Sequence, residues 1–323
     1  MLARYGPAEA PLEPLRGRRI VVLGYGNQGR AQALNLRDSG LDVAVALRPG
    51  SPSEPLARGD GLPVVALEEG ARAAQVAALL VPDEAMPALV RSLRAAWRPG
   101  VVLVLAHAYN LAYRLLELPA GARVACVAPA GPGSLVRRRF TEGGGVTAFL
   151  ALSDPQDADL LGQGLAYAAG IGCARAGVFR CTPLQETEVD LFGEQAVLCG
   201  GLTALVGSAY RALVAAGYPP EMAYLECVHQ VSLTAQLLHD GGVEGLRDRI
   251  SPTALFGELT RGPRVARALE PVFGEILAEI RDGRFAAELA RLAAGGPQAL
   301  RSLREAARDP SLEEVRRQLG LED

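Results

Sequence analysis

The sequence contains no lysine, so all 33 of its basic residues are arginine. An arginine guanidinium stays protonated at any working pH and cannot form an imine with a carbonyl substrate. This absence excludes pyridoxal enzymes, Schiff-base aldolases and P-loop NTPases, which all depend on a lysine. The 36 acidic residues leave a net charge of −3. No excess of positive charge is present to attract nucleic acid or an anionic membrane.

Cysteine is also scarce, and long apolar runs are missing. The five cysteines are odd in number, widely spaced and set among apolar residues. This pattern contains neither a C-x-x-C motif nor a disulfide framework, and it is typical of a reducing cytosol. No stretch reaches the roughly 18 uninterrupted apolar residues of a membrane span, and the first residues lack an apolar signal segment. We therefore expect a cytoplasmic protein with no membrane partner.

The chain divides into two parts with different hydrophobic patterns. Up to about residue 181, short apolar runs alternate with helical patterns, which predicts a Rossmann-type α/β domain with a parallel sheet covered on both faces. From residue 182 to 323 the pattern is helical, including one predicted helix closed by Asp240-Gly241-Gly242, and predicts an all-α domain. The predicted strands are 20–26, 43–47, 63–67, 76–81, 101–107, 124–129 and 146–152.

A glycine-rich turn follows the first predicted strand and opens a helix that ends at Gly40. Its glycines permit a tight turn, close approach of a pyrophosphate and close packing of helix on strand, with the helix N-terminus attracting phosphate. This context predicts a dinucleotide site formed by Gly24, Tyr25, Gly26, Asn27, Gln28 and Gly29.

The end of the second strand of such a domain usually selects between NAD and NADP. Here Arg48, Ser51 and Ser53 can hydrogen-bond a 2′-phosphate, whereas Glu54 would repel one if it pointed inward. The pattern favours NADP and leaves NAD open.

Three carboxylates, Glu186, Asp190 and Glu194, recur at intervals of four residues in a predicted helix. Stacked like charges destabilise a helix, and no basic residue lies nearby to relieve them. Oxygen ligands of this kind favour Mg²⁺. On a later helix Glu226 and Gln230 have the same spacing.

Among three histidines, His107 is the candidate for proton transfer or substrate orientation. It ends an apolar strand at the carboxyl edge, where open α/β sheets bind ligands. His229 and His239 lie in amphipathic helical sequence and are interpreted as packing or surface residues.

Seven motifs occur along the chain in the order G-Y-G-N-Q-G, L-R-P-G-S-P-S, V-P-D-E, A-H-A-Y-N, V-A-P-A-G-P-G, E-T-E-V-D-L-F-G-E-Q and S-P-T-A. Taken together, they resemble those of short-form ketol-acid reductoisomerases over about residues 10–320. The resemblance implies a Rossmann domain followed by a knotted helical domain, and a homodimer with shared active sites. It also implies NADPH, two Mg²⁺ ions, and alkyl migration in a 2-hydroxy-2-alkyl-3-keto acid followed by reduction to a 2,3-dihydroxy acid.

Position by position, the resemblance implies a role for each candidate. Asp190 would bridge both metals, Glu194 would bind one, and Glu226 with Gln230 would reach the second from the other subunit. Ser251 would hold the substrate carboxylate, and His107 and Glu186 would act in catalysis. Asp83 and Gly133 would join the cofactor site.

Two positions depart from the family pattern in ways that bear on chemistry. Ala130 stands where the family has lysine, and Gln230 stands where it has glutamate. Losing one cation and one anion keeps the formal charge, so we interpret the change as coordinated remodelling. His107-Ala108-Tyr109 and Phe256 also replace family residues around the pocket.

Three hypotheses follow. The first is a repurposed, NAD(P)- and Mg²⁺-dependent oxidoreductase for a small hydroxy or keto acid in a specialised pathway, as in a relative that forms a cyclopropanol from a sulfonium dihydroxy acid. The second is a genuine reductoisomerase of branched-chain amino-acid synthesis, which converts acetolactate to 2,3-dihydroxyisovalerate. The third is a dinucleotide-binding pseudoenzyme.

Overall fold

The structure is a computed structural model that describes residues 1–321. It divides into two compact units, Met1–Thr187 and a second that begins at Glu188. The sequence-based boundary between residues 181 and 182 lies six residues earlier and stays a prediction, because contact clusters and evolutionary domains need not share an edge.

In the first unit, nine strands of the described chain form one sheet in the order β1-β9-β8-β7-β6-β5-β2-β3-β4. The run from β7 to β4 is parallel, and its strands, apart from the partly exposed edge strand β4, are almost wholly buried, as the apolar runs predict. The strands are β1 Arg4–Tyr5, β2 Arg19–Leu23, β3 Asp42–Leu47, β4 Val64–Ala66, β5 Val76–Leu79, β6 Val102–Leu105, β7 Arg123–Pro129, β8 Ala148–Leu152 and β9 Val178–Arg180.

The sheet is not wholly parallel, which corrects the prediction. Strand β8 runs antiparallel to β7, with Cys126 opposite Ala151, and β1 runs antiparallel to β9. Apolar runs read alike in either direction, since strand direction is set by the connection. The short strands β1, at the edge of the sheet, and β9, between β1 and β8, were not predicted, because two or three residues show no periodicity.

Helices cover both faces of this sheet and bury one apolar cluster on each. Their positions match the helical patterns between the predicted strands, and the glycine stop after the first helix is confirmed by Gly40, whose φ is +79°. The helices are α1 Asn27–Asp38, α2 Glu54–Gly59, α3 Leu67–Ala73, α4 Met86–Ser92, α5 Tyr109–Ala112, α6 Gly133–Thr141 and α7 Ala158–Gly170.

The second unit is helical throughout its described part. Helix α8 starts at the end of the first unit, and π-helical segments Glu194–Leu198 and Leu225–His229 interrupt the predicted long helices. The stretch Val231–Arg247 is interrupted at Gly242, whose φ of +65° and ψ of −168° are not helical, so the helix stop predicted at Asp240-Gly241-Gly242 is confirmed and a second helical segment follows it. The helices are α8 Pro183–Gly193, α9 Gly200–Ala215, α10 Pro220–Tyr224, α11 Val231–Arg247, α12 Pro252–Arg281, α13 Arg284–Ala294, α14 Pro297–Ala306 and α15 Pro310–Gln318.

Candidate active site

The glycine-rich turn between β2 and α1 has the geometry of a dinucleotide-binding turn. Gly24 has a φ of +99°, and a side chain there would overlap the Leu80 carbonyl. A side chain at Gly29 would overlap the Gly24 carbonyl, so α1 packs closely on the turn. Beside Gly26, in contrast, the space is open. The space beside Gly26 is thus free at the position where the glycine pattern expects a pyrophosphate to approach the backbone.

The loop between β7 and α6 packs against this turn. A side chain at Gly133 would overlap the Asn27 backbone, and the Ser134 N–H donates to Asn27 Oδ1 at 3.1 Å. Gln28 Nε2 donates to the Gly131 carbonyl at 2.9 Å. The predicted cofactor residue Gly133 is therefore in contact with the predicted turn.

A cavity of about 360 Å³ lies at the carboxyl ends of β2 and β3 and is lined by Gly24, Tyr25, Leu47, Arg48 and Ser51, among others. Arg48 is exposed, and no carboxylate of residues 1–321 lies within 4.0 Å of its guanidinium.

Two further residues near this cavity were named from the sequence. Glu54 pairs instead with Arg58 one helical turn later, at 2.9 Å. Ser53 lies before α2, and its N–H is 3.4 Å from Ser51 Oγ. Glu54, the acidic residue that left the choice between NAD and NADP open, thus forms an ion pair with Arg58 on α2.

Tyr25 belongs to a polar cluster that sequence reasoning missed. Its hydroxyl donates to Asp60 Oδ2 at 2.8 Å, and Arg30 donates to both Asp60 oxygens at 2.7 and 3.0 Å. The Arg30 hydrogen bond lowers the pKa of Asp60, while burial and the Asp60 contact raise the pKa of Tyr25. The cluster ties the turn to the segment after α2.

His107 lies after β6 and is held by Asp83, which follows β5. Nδ1 of His107 lies 3.0 Å from Asp83 Oδ2, and Asn110 Nδ2 donates to Asp83 Oδ1 and to its carbonyl, each at 3.0 Å. Because a carboxylate only accepts hydrogen bonds, we assign the donor role towards Asp83 to His107 Nδ1. Sequence reasoning did not single out Asn110, because its complete burial and its contact with Asp83 are visible only in the structure.

Glu186 is 2% exposed and faces the same group. Its Oε2 accepts the Ala108 N–H at 2.7 Å and lies 3.9 Å from His107 Nε2. Burial, followed by the nearby Glu186 charge, raises the pKa of the Cys181 thiol to about 11. Residues 83, 107, 110 and 186 thus form one polar cluster at the carboxyl edge of the sheet, and it contains both predicted catalytic residues.

The predicted metal ligands belong to the second unit. Asp190 and Glu194 are exposed one turn apart, where α8 meets the first π-helical segment. Glu226 and Gln230 are also exposed, and Gln230 Nε2 donates to Glu226 Oε2 at 2.7 Å. Within the described residues no three His, Cys, Asp or Glu side chains gather around one point. The oxygen donors match the chemistry of Mg²⁺, which accepts one or two carboxylates and completes its shell with water.

Ser251, the predicted substrate residue, is the N-cap of α12. Its hydroxyl accepts the Ala254 N–H at 3.2 Å, which satisfies one of the free amides of the first turn. The hydroxyl keeps a proton to donate to a ligand, so a capping role and a binding role are compatible.

Comparison with known proteins identifies the family. Residues 14–177 match the model of the acetohydroxy acid isomeroreductase NADPH-binding domain, and residues 184–321 match that of the ketol-acid reductoisomerase C-terminal domain. The chain is similar over its full length to the structure of an NADH-preferring ketol-acid reductoisomerase from an uncultured archaeon. It is 33% identical, covers 98% of each chain and has a TM-score of 0.94.

More distant structures share the fold alone. A semialdehyde dehydrogenase NAD-binding protein from Cupriavidus necator, in complex with calcium and NAD, is 22% identical over 82% of this chain and 99% of its own, with a TM-score of 0.59. A putative oxidoreductase from Jannaschia sp. CCS1 is 16% identical over 84% and 98%, with a TM-score of 0.60.

One helical stretch of the described chain, Pro183–Ala215, has the length and mean hydropathy (1.5) of a membrane span, with 11% of that window buried. It carries the three carboxylates and lies almost wholly within the residues that match the C-terminal domain. The two domain models together span nearly all of the described residues and the full-length structural match agrees with them. This protein is an NAD(P)-dependent oxidoreductase that belongs to the ketol-acid reductoisomerase family.

Proposed function

We propose that this protein reduces a small hydroxy-keto carboxylic acid with a dihydronicotinamide cofactor and Mg²⁺, in a specialised biosynthetic pathway. The observation that carries the proposal is the cluster of His107, Asp83, Asn110 and Glu186 at the same sheet edge as the dinucleotide turn. Ligands of open α/β sheets bind at this edge.

The residues of the cluster suggest a division of labour. Asp83 fixes the His107 ring through Nδ1, which leaves Nε2 on the side of Glu186. Hydride addition to a ketone leaves an alkoxide that takes up one proton. Glu186 and His107 Nε2 are the groups proposed to hold or move that proton.

Asp190 and Glu194 are the residues that would hold Mg²⁺, with Glu226 as a further oxygen donor. The ion would supply Lewis-acid polarisation of the substrate carbonyl and hydroxyl oxygens. Ser251 would donate a hydrogen bond to the substrate carboxylate.

Two replacements favour reduction over alkyl migration. Alkyl migration depends on two metals that clamp adjacent oxygens, whereas hydride transfer needs one polarised carbonyl and a positioned cofactor. Gln230 brings a neutral amide where the resemblance expects a carboxylate, and that amide already donates to Glu226 at 2.7 Å. Ala130 lacks the ammonium that the family's lysine would supply at this position.

A second candidate is the ordinary reductoisomerase reaction on acetolactate. It is favoured by the full-length match to a ketol-acid reductoisomerase at a TM-score of 0.94. A pseudoenzyme that binds dinucleotide is the remaining alternative.

Separate assays of the two half-reactions distinguish these functions. The purified protein, Mg²⁺ and NADPH or NADH are supplied with acetolactate, or with 3-hydroxy-3-methyl-2-oxobutanoate, which needs reduction only. We expect reduction of the second compound and little turnover of the first. Equal turnover of both would establish the second candidate, and cofactor binding without any turnover would support the pseudoenzyme. Ala130→Lys combined with Gln230→Glu is expected to raise acetolactate turnover.

The environment of Arg48 supports NADP as the cofactor. Arg48→Ala is expected to weaken NADPH binding about tenfold, because a charged hydrogen bond to the 2′-phosphate is lost, and to leave NADH binding nearly unchanged. Dihydronicotinamide fluorescence measures both dissociation constants. An equal loss for NADH would contradict the assignment.

We also propose a homodimer with shared active sites, a knotted helical domain and a cytoplasmic location. The family membership supports the first two. The cytoplasmic location is supported by the five cysteines, which are all free thiols.

A further inference from the structure

Helix α1 carries a row of polar side chains on one face. Gln28, Gln32, Asn35 and Ser39 follow one another at intervals of four, three and four residues, which places them on the same side of a helix. Gln32 and Asn35 are each 0% exposed. We refer to these four residues as the polar seam.

Gln28 and Gln32, the N-terminal half of the polar seam, take part in a continuous chain of hydrogen bonds. The Tyr167 hydroxyl, on α7, donates to Gln32 Oε1 at 2.8 Å, and Gln32 Nε2 donates to Gln28 Oε1 at 3.0 Å. Gln28 Nε2 then donates to the Gly131 carbonyl at 2.9 Å. A buried tyrosine is thereby linked to the loop that packs on the dinucleotide turn.

The Gly131 carbonyl, at one end of this series of hydrogen bonds, fixes which group donates in each of them. The Gly131 carbonyl only accepts, so Gln28 must present its NH₂ group there and its oxygen to Gln32. Gln32 must in turn present its oxygen to Tyr167, whose hydroxyl is left as the donor. Burial raises the pKa of Tyr167, so this hydroxyl keeps its proton at all working pH values.

Asn35 and Ser39, the C-terminal half of the polar seam, connect α1 to α7 by hydrogen bonds. Asn35 Nδ2 donates to the Ile171 carbonyl at 3.0 Å, and Ser39 Oγ donates to the Gly170 carbonyl at 2.8 Å. Both carbonyls lie at the C-terminal end of α7, three and four residues after Tyr167. The tyrosine hydroxyl is therefore held at a fixed position relative to α1.

Packing alone does not account for such a chain. Buried amides and hydroxyls lose their hydration, and apolar side chains of the same volume would fill the space without that cost. What a directional chain adds is a defined position for the group at its end. That group is the Gly131 carbonyl, between the β7 strand and Gly133, which contacts Asn27 of the dinucleotide turn.

We infer that the Tyr167–Gln32–Gln28 chain is a positioning device that holds the 130–133 loop against the dinucleotide turn and so sets the affinity for the nicotinamide dinucleotide. Tyr167 and Gln32 are positioning residues, since neither lies at the turn itself. The inference rests on dinucleotide binding at that turn, as the proposed function requires.

Tyr167→Phe removes the first donor and keeps the ring. Tyr210→Phe in the second unit is the matched control, because Tyr210 is 1% exposed and its hydroxyl lies 2.7 Å from Ser311 Oγ. The full-length proteins are titrated with NADPH and with NADH, followed by dihydronicotinamide fluorescence. Amide hydrogen exchange of residues 129–134, in which Ala130, Gly131, Gly133 and Ser134 carry an amide proton, is measured without ligand.

For Tyr167→Phe we expect both dissociation constants to rise about five- to tenfold, as for loss of one buried hydrogen bond. Exchange at residues 129–134 should become faster. Tyr210→Phe should lower thermal stability to a similar extent and change neither readout. Gln32→Met, which breaks two links, should weaken binding at least as much as Tyr167→Phe.

The inference is overturned if Tyr167→Phe and Gln32→Met lose thermal stability but keep wild-type dinucleotide affinity and wild-type exchange at residues 129–134. Failure of wild-type protein to bind either dinucleotide would instead refute the proposed function. The exchange measurement, which needs no ligand, would still decide whether the chain holds the loop.

Discussion

Single residues in the candidate site combine structural and chemical roles. Glu186 is the clearest case, because one carboxylate oxygen both accepts the Ala108 N–H and faces His107. Its effect on folding and its effect on catalysis are separable by substitution, since an amide retains an accepting oxygen and loses the charge.

Glu186→Gln should therefore leave the free energy of unfolding close to that of the wild type and lower kcat by about tenfold or more. Glu186→Ala should also lower stability by about 1–3 kcal/mol, because the Ala108 N–H becomes a buried donor without an acceptor. Denaturant unfolding and reductase turnover measure the two effects. Full activity of Glu186→Gln would remove this residue from the proposed proton path.

Asp60 gives a pH-dependent prediction. Its pKa lies below its ordinary value of 3.8, chiefly through the Arg30 hydrogen bond. A depressed folded pKa stabilises the protein above the unfolded pKa, and this contribution is lost as the pH falls through the folded pKa. Asp60→Asn should thus cost about 1 kcal/mol at pH 7, a value reduced because Arg30 is half exposed.

The difference in unfolding free energy between wild type and Asp60→Asn should shrink towards zero on acidification below pH 3.8. Urea unfolding at a series of pH values provides the measurement. A difference that stays constant with pH would show that the carboxylate charge does not contribute.

At the level of elements, the junction of β2 and α1 depends on three glycines with different duties. Gly29 allows the helix to touch the turn, whereas the space at Gly26 is open in the protein. The same substitution should consequently have different effects at these two positions.

Gly29→Ala should lower both stability and dinucleotide affinity, because its methyl group would overlap the Gly24 carbonyl. Gly26→Ala should leave unfolding nearly unchanged and weaken NADPH binding by tenfold or more, since the methyl group occupies the space for the pyrophosphate. Thermal unfolding and fluorescence titration test the pair. Tight binding by Gly26→Ala would place the pyrophosphate elsewhere.

At the level of the whole molecule, exposed apolar side chains are concentrated in the helical unit. Val197, Leu198 and Leu205, around the start of α9, are 51%, 65% and 54% exposed. Apolar surface of this kind marks an interaction site, and the proposed homodimer gives it a partner.

Sedimentation of the wild type should therefore give twice the 33.9 kDa of one chain. Leu198→Glu combined with Leu205→Glu should shift it towards monomer, because charges would be buried at the interface. Leu115→Glu is the control, since Leu115 is 43% exposed in the other unit. A monomeric wild type would contradict the homodimer.

Sequence alone determined the class of the fold and the family, and it located the glycine-rich turn after β2. Each depends on local order along the chain: apolar strand length, glycine spacing, and motifs in a fixed succession. The resemblance also pointed to His107 and Glu186, which the structure brings to 3.9 Å between Nε2 and Oε2. The metal and substrate assignments for Asp190, Glu194, Glu226, Gln230 and Ser251 stay predictions.

Tertiary structure decided what depends on distant parts of the chain. The antiparallel direction of β8, the pairing of β1 with β9, and the hydrogen bonds from Asp83 to His107 and Asn110 have no local signature. The polar seam of α1 was visible as spacing, but its partners Tyr167 and Gly131 lie more than 100 residues away. Side-chain hydrogen bonds act over about 3 Å, so only folding brings such groups together.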